Sequence, residues 1–275
     1  MDNPLKIIWY NVRNLMFICM LIFSVVLSFK FGVTFLIQAI IGFSIAVIID
    51  FAIAYILCKS KEFPVSGAIS GLIVANLFSQ GSYIVVAAVS ALAILSKQFI
   101  RYNKKHVFNP ANFGIAVIGI ASLFFTINTS VTWLPGFVPG LLLILGFIIL
   151  YRLRRWEIHL TYFITLAILL LFQGLSNELS NDRLIEFVYK GITEGGILFF
   201  VFFMVVEPVT SPITKRGRVV YSFLITVIAF NLSFTRFLEY APIFALFIVD
   251  LFVPLIDRFM KINKFTKKNN IERGD

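Results

Sequence analysis

The chain has 275 residues, of which 59% are hydrophobic and only 14% are charged. An ordinary soluble domain carries about a quarter charged residues. This composition therefore excludes a soluble protein and predicts a polytopic protein embedded in the lipid bilayer. The net charge of +10 does not indicate a nucleic-acid partner, because the basic residues sort by membrane side.

Ten apolar segments follow one another along the chain and are predicted to be membrane helices. A full span needs about 20 apolar residues, so two of the segments, 64–78 and 219–232, are short, and we expect them to be tilted, interrupted or re-entrant. The ten segments cover residues 12–29, 33–57, 64–78, 82–97, 109–125, 134–151, 158–175, 187–206, 219–232 and 239–257.

The distribution of basic residues supports ten crossings. If the N-terminus is cytoplasmic and every segment crosses, 20 of the 24 Lys and Arg residues lie on the cytoplasmic side, as the positive-inside rule requires. We therefore expect a multi-pass protein of the inner cell membrane with both termini in the cytoplasm.

Ten segments divide into two halves of five, with the seam near residues 126–133. An odd number of crossings per half gives the halves opposite orientation, which is the plan of many inverted-repeat transporters. The predicted fold is all-α, with a first five-helix repeat over residues 1–130, a second over 131–258 and a basic cytoplasmic tail over 259–275.

Polar segments interrupt the apolar pattern at SGAISG (Ser66–Gly71) and at FNPAN (residues 108–112). The small residues of the first favour close helix packing, or a helix N-terminus that faces a polar or anionic ligand. In the second, Asn109 is expected to cap a helix that begins at Pro110. A cap does not explain Asn112, an amide inside an apolar helix that needs a hydrogen-bond partner.

Acidic residues at membrane depth are functional-site hypotheses by default. Glu207 opens EPVTSP (residues 207–212), where Thr210 and Ser211 add hydroxyl groups. Its alternative role is that of a helix-end carboxylate paired with Lys215, Arg216 or Arg218. Asp50 lies inside the second apolar segment and is either a partner of Lys97 or part of an ion pathway, and the role of Asp250 is left open. No group of residues has metal-ligand spacing.

The segments KHVFNPANFG and MVVEPVTSP resemble the paired signatures of the NqrB/RnfD family, the large membrane subunits of sodium-pumping NADH:quinone oxidoreductase and of the Rnf complex. Those signatures typically read FNPA and DPVTSP, with Asp at the position of Glu207. SGAISGLIVAN, Lys97 and the ending FALFIVDLFVPLIDR (residues 244–258) also resemble the family.

The resemblance implies ten helices in two inverted five-helix repeats, related to the urea-channel architecture. It also implies a flavin site, for FMN or riboflavin, in a redox-driven ion pump, with Asp50 and Glu207 in an ion or proton pathway. The residues matching the cofactor site would be Ser66, Gly67, Ser70, Asn109, Pro110, Ala111, Asn112, Thr210 and Ser211.

One departure from the family pattern concerns the flavin. Family members carry FMN covalently on the Thr of a Ser/Thr-Gly-Ala-Thr motif between the two signatures, and residues 115–206 contain no such motif. Any FMN or riboflavin is therefore expected to bind without a covalent bond. Three functions stay open: a membrane component that works with other Rnf/NQR-type subunits, a stand-alone transporter or channel for a small polar or flavin-like solute, and an accessory membrane protein.

The charge distribution makes a testable topology prediction. A reporter fused after residue 130 should be external, and one fused after residue 155 should be cytoplasmic, because the basic residues then remain inside. Paired alkaline phosphatase and fluorescent-protein fusions measure both positions. The reverse pattern at either position would contradict the ten-segment topology.

Overall fold

The structure is a computed structural model that describes residues 11–78, 83–103, 105–125, 131, 139–235 and 238–273. The described residues form helices joined by short loops, apart from one two-stranded hairpin, β1 (Arg101–Tyr102) and β2 (Lys105–His106). The helices are α1 Val12–Phe31, α2 Val33–Cys58, α3 Val65–Leu77, α4 Tyr83–Phe99, α5 Pro110–Ala121, α6 Pro139–Leu153, α7 Trp156–Ser176, α8 Asn181–Thr193, α9 Gly195–Phe199, α10 Lys215–Leu232 and α11 Ala241–Arg273, with a π-helix at Phe200–Val205 and a 3₁₀ turn at Leu238–Tyr240.

Three helices in the described part of the chain are long and apolar enough to cross a membrane, namely Val12–Phe31, Val33–Leu57 and Trp156–Ser176. A fourth span results if Asn181–Thr193 and Gly195–Val205, which are bent by 42°, are counted as one. Shorter apolar helices include α3, whose 13 residues reach about 20 Å at 1.5 Å per residue, less than the roughly 30 Å of a hydrocarbon core. The chain is thus an all-α membrane protein that contains short helices.

Helix α3 ends inside the protein, and a side chain of a neighbouring helix satisfies its free carbonyl groups. Gln38 of α2 is fully buried, and its Nε2 donates to the carbonyl oxygens of Ala75 at 2.9 Å and Phe78 at 3.0 Å. Backbone that is left unpaired in apolar surroundings is costly, so this amide makes the short helix tenable.

Helices α2 and α3 approach until their backbones touch. A Cβ added to Gly71 would overlap the carbonyl oxygen of Gly42, and a Cβ added to Gly67 would lie 2.7 Å from Oδ2 of Asp50. The small residues of SGAISG therefore serve close packing, one of the two roles that the sequence left open.

The second half departs from the predicted segments at two places. The segment expected at 187–206 is divided at Glu194 into amphipathic α8, none of whose residues is buried, and a buried stretch that begins at Gly195 and continues into the π-helix. Charged residues line one side of α8, so this helix cannot be apolar all round. The last helix also continues past residue 257 to Arg273.

The predicted seam at 126–133 lies largely outside the described residues. Of this segment the structure describes Val131, which is buried and forms an isolated antiparallel bridge with Phe78. Phe78 directly follows α3, so this contact attaches the seam to the end of the short helix.

Candidate ligand site

Asn109 joins three parts of the protein. Its side-chain oxygen accepts from the backbone N–H of Asn112 at 3.1 Å, so it caps α5, whose first residue is Pro110. Its amide nitrogen donates to the carbonyl oxygen of Met204 at 3.2 Å, and its backbone N–H donates to Oδ2 of Asp250 at 3.0 Å. The predicted cap is confirmed, and the same residue also fixes the end of the π-helix, which leads into the polar turn of the other half.

Asn112 is fully buried one turn into α5. Its Nδ2 donates to the carbonyl oxygen of Ile243 at 3.1 Å, which supplies the partner that an amide in an apolar helix needs. Its Oδ1 is buried without a hydrogen-bond partner among the described residues. Asn112 therefore ties α5 to α11.

Asp250 is fully buried in α11. Besides the Asn109 N–H, it accepts a hydrogen bond at 3.0 Å from the hydroxyl of Tyr221 in α10. The sequence left the role of this carboxylate open because its partners are 141 and 29 residues away. Its contacts show that it supports the FNPAN turn.

The EPVTSP turn is held by basic side chains, but not in the way expected for Glu207. The ring nitrogen Nε2 of His106 lies 3.2 Å from Oε1 of Glu207. Lys215 and Arg218, two of its predicted partners, instead lie 3.8 Å and 3.3 Å from Glu157. The pairing of Glu207 with either residue is therefore wrong, because a second acid, Glu157, occupies that side of the turn.

Arg155 fixes the end of the same turn. Its guanidinium donates to the Ser211 hydroxyl and, at 3.4 Å, to the carbonyl oxygen of Pro208, while the Ser211 hydroxyl donates to the carbonyl oxygen of Glu207 at 2.6 Å. Burial lowers the pKa of Arg155, and the nearby charge of Arg218 lowers it further. The turn is thus a bonded structure backed by a positive charge.

A cavity of about 610 Å³, called the first cavity below, lies where SGAISG, FNPAN and EPVTSP meet. Its volume is within the range of small-molecule sites. Four cations also line it, and they come from α1, from the end of α4 and from the hairpin: Arg13, Lys97, Arg101 and Lys105. The predicted site residues in its wall are Ser66, Ser70, Asn109, Pro110 and Glu207.

The other predicted cofactor residues lie elsewhere. Ala111 and Asn112 are buried in the core, and Gly67 packs against Asp50. Thr210 and Ser211 line a different cavity of about 550 Å³, called the second cavity below. The sequence therefore predicted one polar centre where the structure has two neighbouring cavities.

Asp50 has the structural partner that was one of its two predicted roles. Its Oδ2 lies 2.5 Å from Nζ of Lys97, and its Oδ1 accepts from Nε2 of Gln98 at 2.7 Å. Lys97 lines the first cavity and Asp50 does not. The ion pair holds α2 against α4 beside the cavity wall.

The sequence motifs did not assign Arg13, Arg101, Lys105 or His106 to a site. The first three served to fix the topology, and His106 drew interest only because it precedes the FNPAN turn. The signal that could have found them is the position of basic residues directly before or after the apolar and polar segments. Each of these four residues lines the first cavity.

The fold and this site define a polytopic membrane protein with a ligand cavity between broken and short helices. A family model described as the NQR2, RnfD, RnfE family matches residues 121–266. Since that is more than half of the chain, the protein belongs to this family, as the sequence motifs indicated.

Three relatives are similar to parts of the chain. A subunit of the ion-translocating oxidoreductase complex of Mannheimia succiniciproducens is 28% identical over 55% of this chain and 41% of its own length. The protein of the same name from Stutzerimonas stutzeri is 34% identical over 45% of this chain and 34% of its own length. A subunit of the Na(+)-translocating NADH-quinone reductase of Chromohalobacter salexigens is 31% identical over 45% of this chain and 33% of its own length. The chain thus spans well under half the length of these relatives.

Replacing Lys97 by Met should destabilise the protein by about 3 kcal/mol, because it leaves the carboxylate of Asp50 buried without its cation. Thermal or denaturant unfolding in detergent measures this effect. The double variant Asp50→Asn, Lys97→Met should recover most of the loss. A Lys97→Met protein as stable as the wild type would show that the pair does not hold the helices.

Proposed function

We propose that the protein is a membrane subunit of an Rnf/NQR-type electron transport complex, which holds FMN or riboflavin without a covalent bond in the first cavity and helps couple electron transfer to cation movement. The observation that carries the proposal is the meeting of Ser66, Asn109 and Glu207, from three separate segments, around one cavity. The family membership and the printed names of the relatives support the same role.

The residues around the first cavity fit a flavin. The volume of about 610 Å³ suits a ligand of this size class, and Arg13, Arg101 and Lys105 suit the phosphate of FMN. One oxygen of Glu207, Oε2, is buried without a partner among the described residues, as expected for a group that meets a ligand.

When bound, a flavin supplies the electron-transfer chemistry, and the residues of the chain bind and orient it. Apolar side chains from α3 and from the π-helix, among them Ile69, Ile73 and Phe203, line the cavity and would keep water from one side of the ligand. The hydroxyls of Ser66 and Ser70 would set its orientation through hydrogen bonds.

Cation coupling would involve Glu207. Its carboxylate lines the cavity, and its one ionisable partner among the described residues is the His106 ring, so it is placed to hold a proton or to attract a cation. Asp50 would act only through Lys97, which lines the cavity in its place. The proposal also includes the wider architecture: ten membrane segments in two inverted five-helix repeats, cytoplasmic termini, the inner membrane, and other Rnf/NQR-type subunits as partners.

Protein purified in detergent should carry flavin absorbance that acid precipitation releases in full, and a denaturing gel should show no fluorescent band. After removal of the flavin, Arg13→Gln should weaken FMN binding about ten-fold and leave riboflavin binding unchanged, because a charge-assisted phosphate contact is lost. Quenching of flavin fluorescence measures both affinities. Lys61→Gln, which removes an exposed cation outside the cavity wall, is the control.

Other outcomes would separate the alternatives. A flavin band that survives denaturation would overturn the non-covalent site and require a covalent acceptor. Absence of flavin binding, together with solute flux into liposomes without an electron donor, would support the stand-alone transporter or channel instead.

Glu207→Gln should abolish cation uptake that is driven by an electron donor in membrane vesicles containing the assembled complex, because the variant loses the ionisable group. Its stability should fall by about 1 kcal/mol or less, as for a partly exposed ion pair. Glu186→Gln is the matched control, since Glu186 forms an exposed pair with Lys190 on α8. Normal uptake by Glu207→Gln would show that Glu207 is only a structural partner of His106.

A further inference from the structure

The second cavity is enclosed by elements from both halves of the chain. Its walls are the hairpin at Tyr102–Val107, the turn at residues 209–213 and the part of α11 that contains Val253 and Arg258. The flavin proposal does not use this cavity, although its volume of about 550 Å³ is in the range of small-molecule sites.

The charge around the second cavity favours an anion. Lys105, His106 and Arg258 line it, against one carboxylate, Asp257, whose Oδ1 accepts from the backbone N–H of Ile213 at 2.9 Å. Behind the wall, Arg155 is bonded to Ser211 and adds a further positive charge. Guanidinium and ammonium groups of this kind bind phosphate and carboxylate oxygens.

Hydroxyl groups and apolar side chains complete the wall. Thr210 is 2% exposed, and its buried hydroxyl has no partner among the described residues. Val253 and Pro254 give one side of the cavity an apolar surface. A purely inorganic anion would leave that apolar surface unused, so the lining suits a charged group joined to an apolar one.

We propose that the second cavity binds a phosphate ester that carries an apolar group, with Arg258 as the main phosphate ligand. The same chemistry has two sources, a soluble phosphate monoester and the headgroup of an anionic phospholipid. The proposal does not depend on flavin in the first cavity, because Arg258, Thr210 and Asp257 line the second cavity and not the first.

The test uses the full chain in nanodiscs of phosphatidylcholine, with melting temperature and calorimetry as readouts. The probes are glycerol 3-phosphate for the soluble source and short-chain phosphatidic acid for the lipid source, with short-chain phosphatidylcholine as the control without net charge. At least one anionic probe should raise the melting temperature, because a ligand of the folded state stabilises it.

Arg258→Gln should weaken binding of that probe about ten-fold, as expected for one charge-assisted contact, and Arg258→Lys should weaken it less. Arg216→Gln is the matched control, because Arg216 is an exposed cation that does not line the cavity. Binding of glycerol 3-phosphate identifies a soluble ligand, and binding of phosphatidic acid alone identifies a lipid.

Two results would overturn the proposal. One is that neither anionic probe binds the wild type. The other is equal weakening by Arg258→Gln and Arg216→Gln, which would indicate general attraction to a basic surface instead of a site. Arg258 is exposed, so the melting temperature of the unliganded variants should match that of the wild type and show that they fold.

Discussion

The hydrogen bonds of Asn109 are the interaction on which the rest of the site depends. In apolar surroundings every backbone donor and acceptor needs a partner from the protein itself, and both the start of α5 and the end of the π-helix leave such groups open. Asn109 satisfies Asn112 N–H and Met204 C=O, and it gives its own N–H to Asp250. Because one residue bonds to segments of both halves, the walls of the first cavity are fixed relative to each other.

The buried and half-buried acids differ in how fully they are bonded. Asp50 has an ammonium and an amide as partners, and Asp250 has a backbone N–H and a phenol. Glu207 has the His106 ring on one oxygen, while its other oxygen has no partner among the described residues. A group with unused hydrogen-bonding capacity beside a cavity responds to a ligand more readily than one that is fully bonded.

Local rules predicted the parts of this structure that depend on neighbouring residues. The cap at Asn109, the start of α5 at Pro110 and the shortness of α3 follow from residues within one or two turns. The contact between Asp250 and Asn109 could not be predicted, because the two lie 141 residues apart and several basic or polar residues could have served. The break at Glu194 was missed since α8 begins with polar residues and the apolar run behind it has the length of a span. The division into two cavities depends on where the hairpin packs, and a two-residue strand has no sequence signal of its own.

The hairpin borders both cavities through the same side chains. Lys105 and His106 lie in the walls of each, and Val209 faces them from the EPVTSP turn. A ligand in the second cavity that shifted His106 would alter the environment of Glu207 in the first, because the two side chains are in contact. Thermodynamic reciprocity then requires that a ligand in the first cavity change the affinity of the second by the same factor. The polar contact between His106 and Glu207 is therefore where a charge change at one site would be transmitted to the other, without any movement of the helices that surround them.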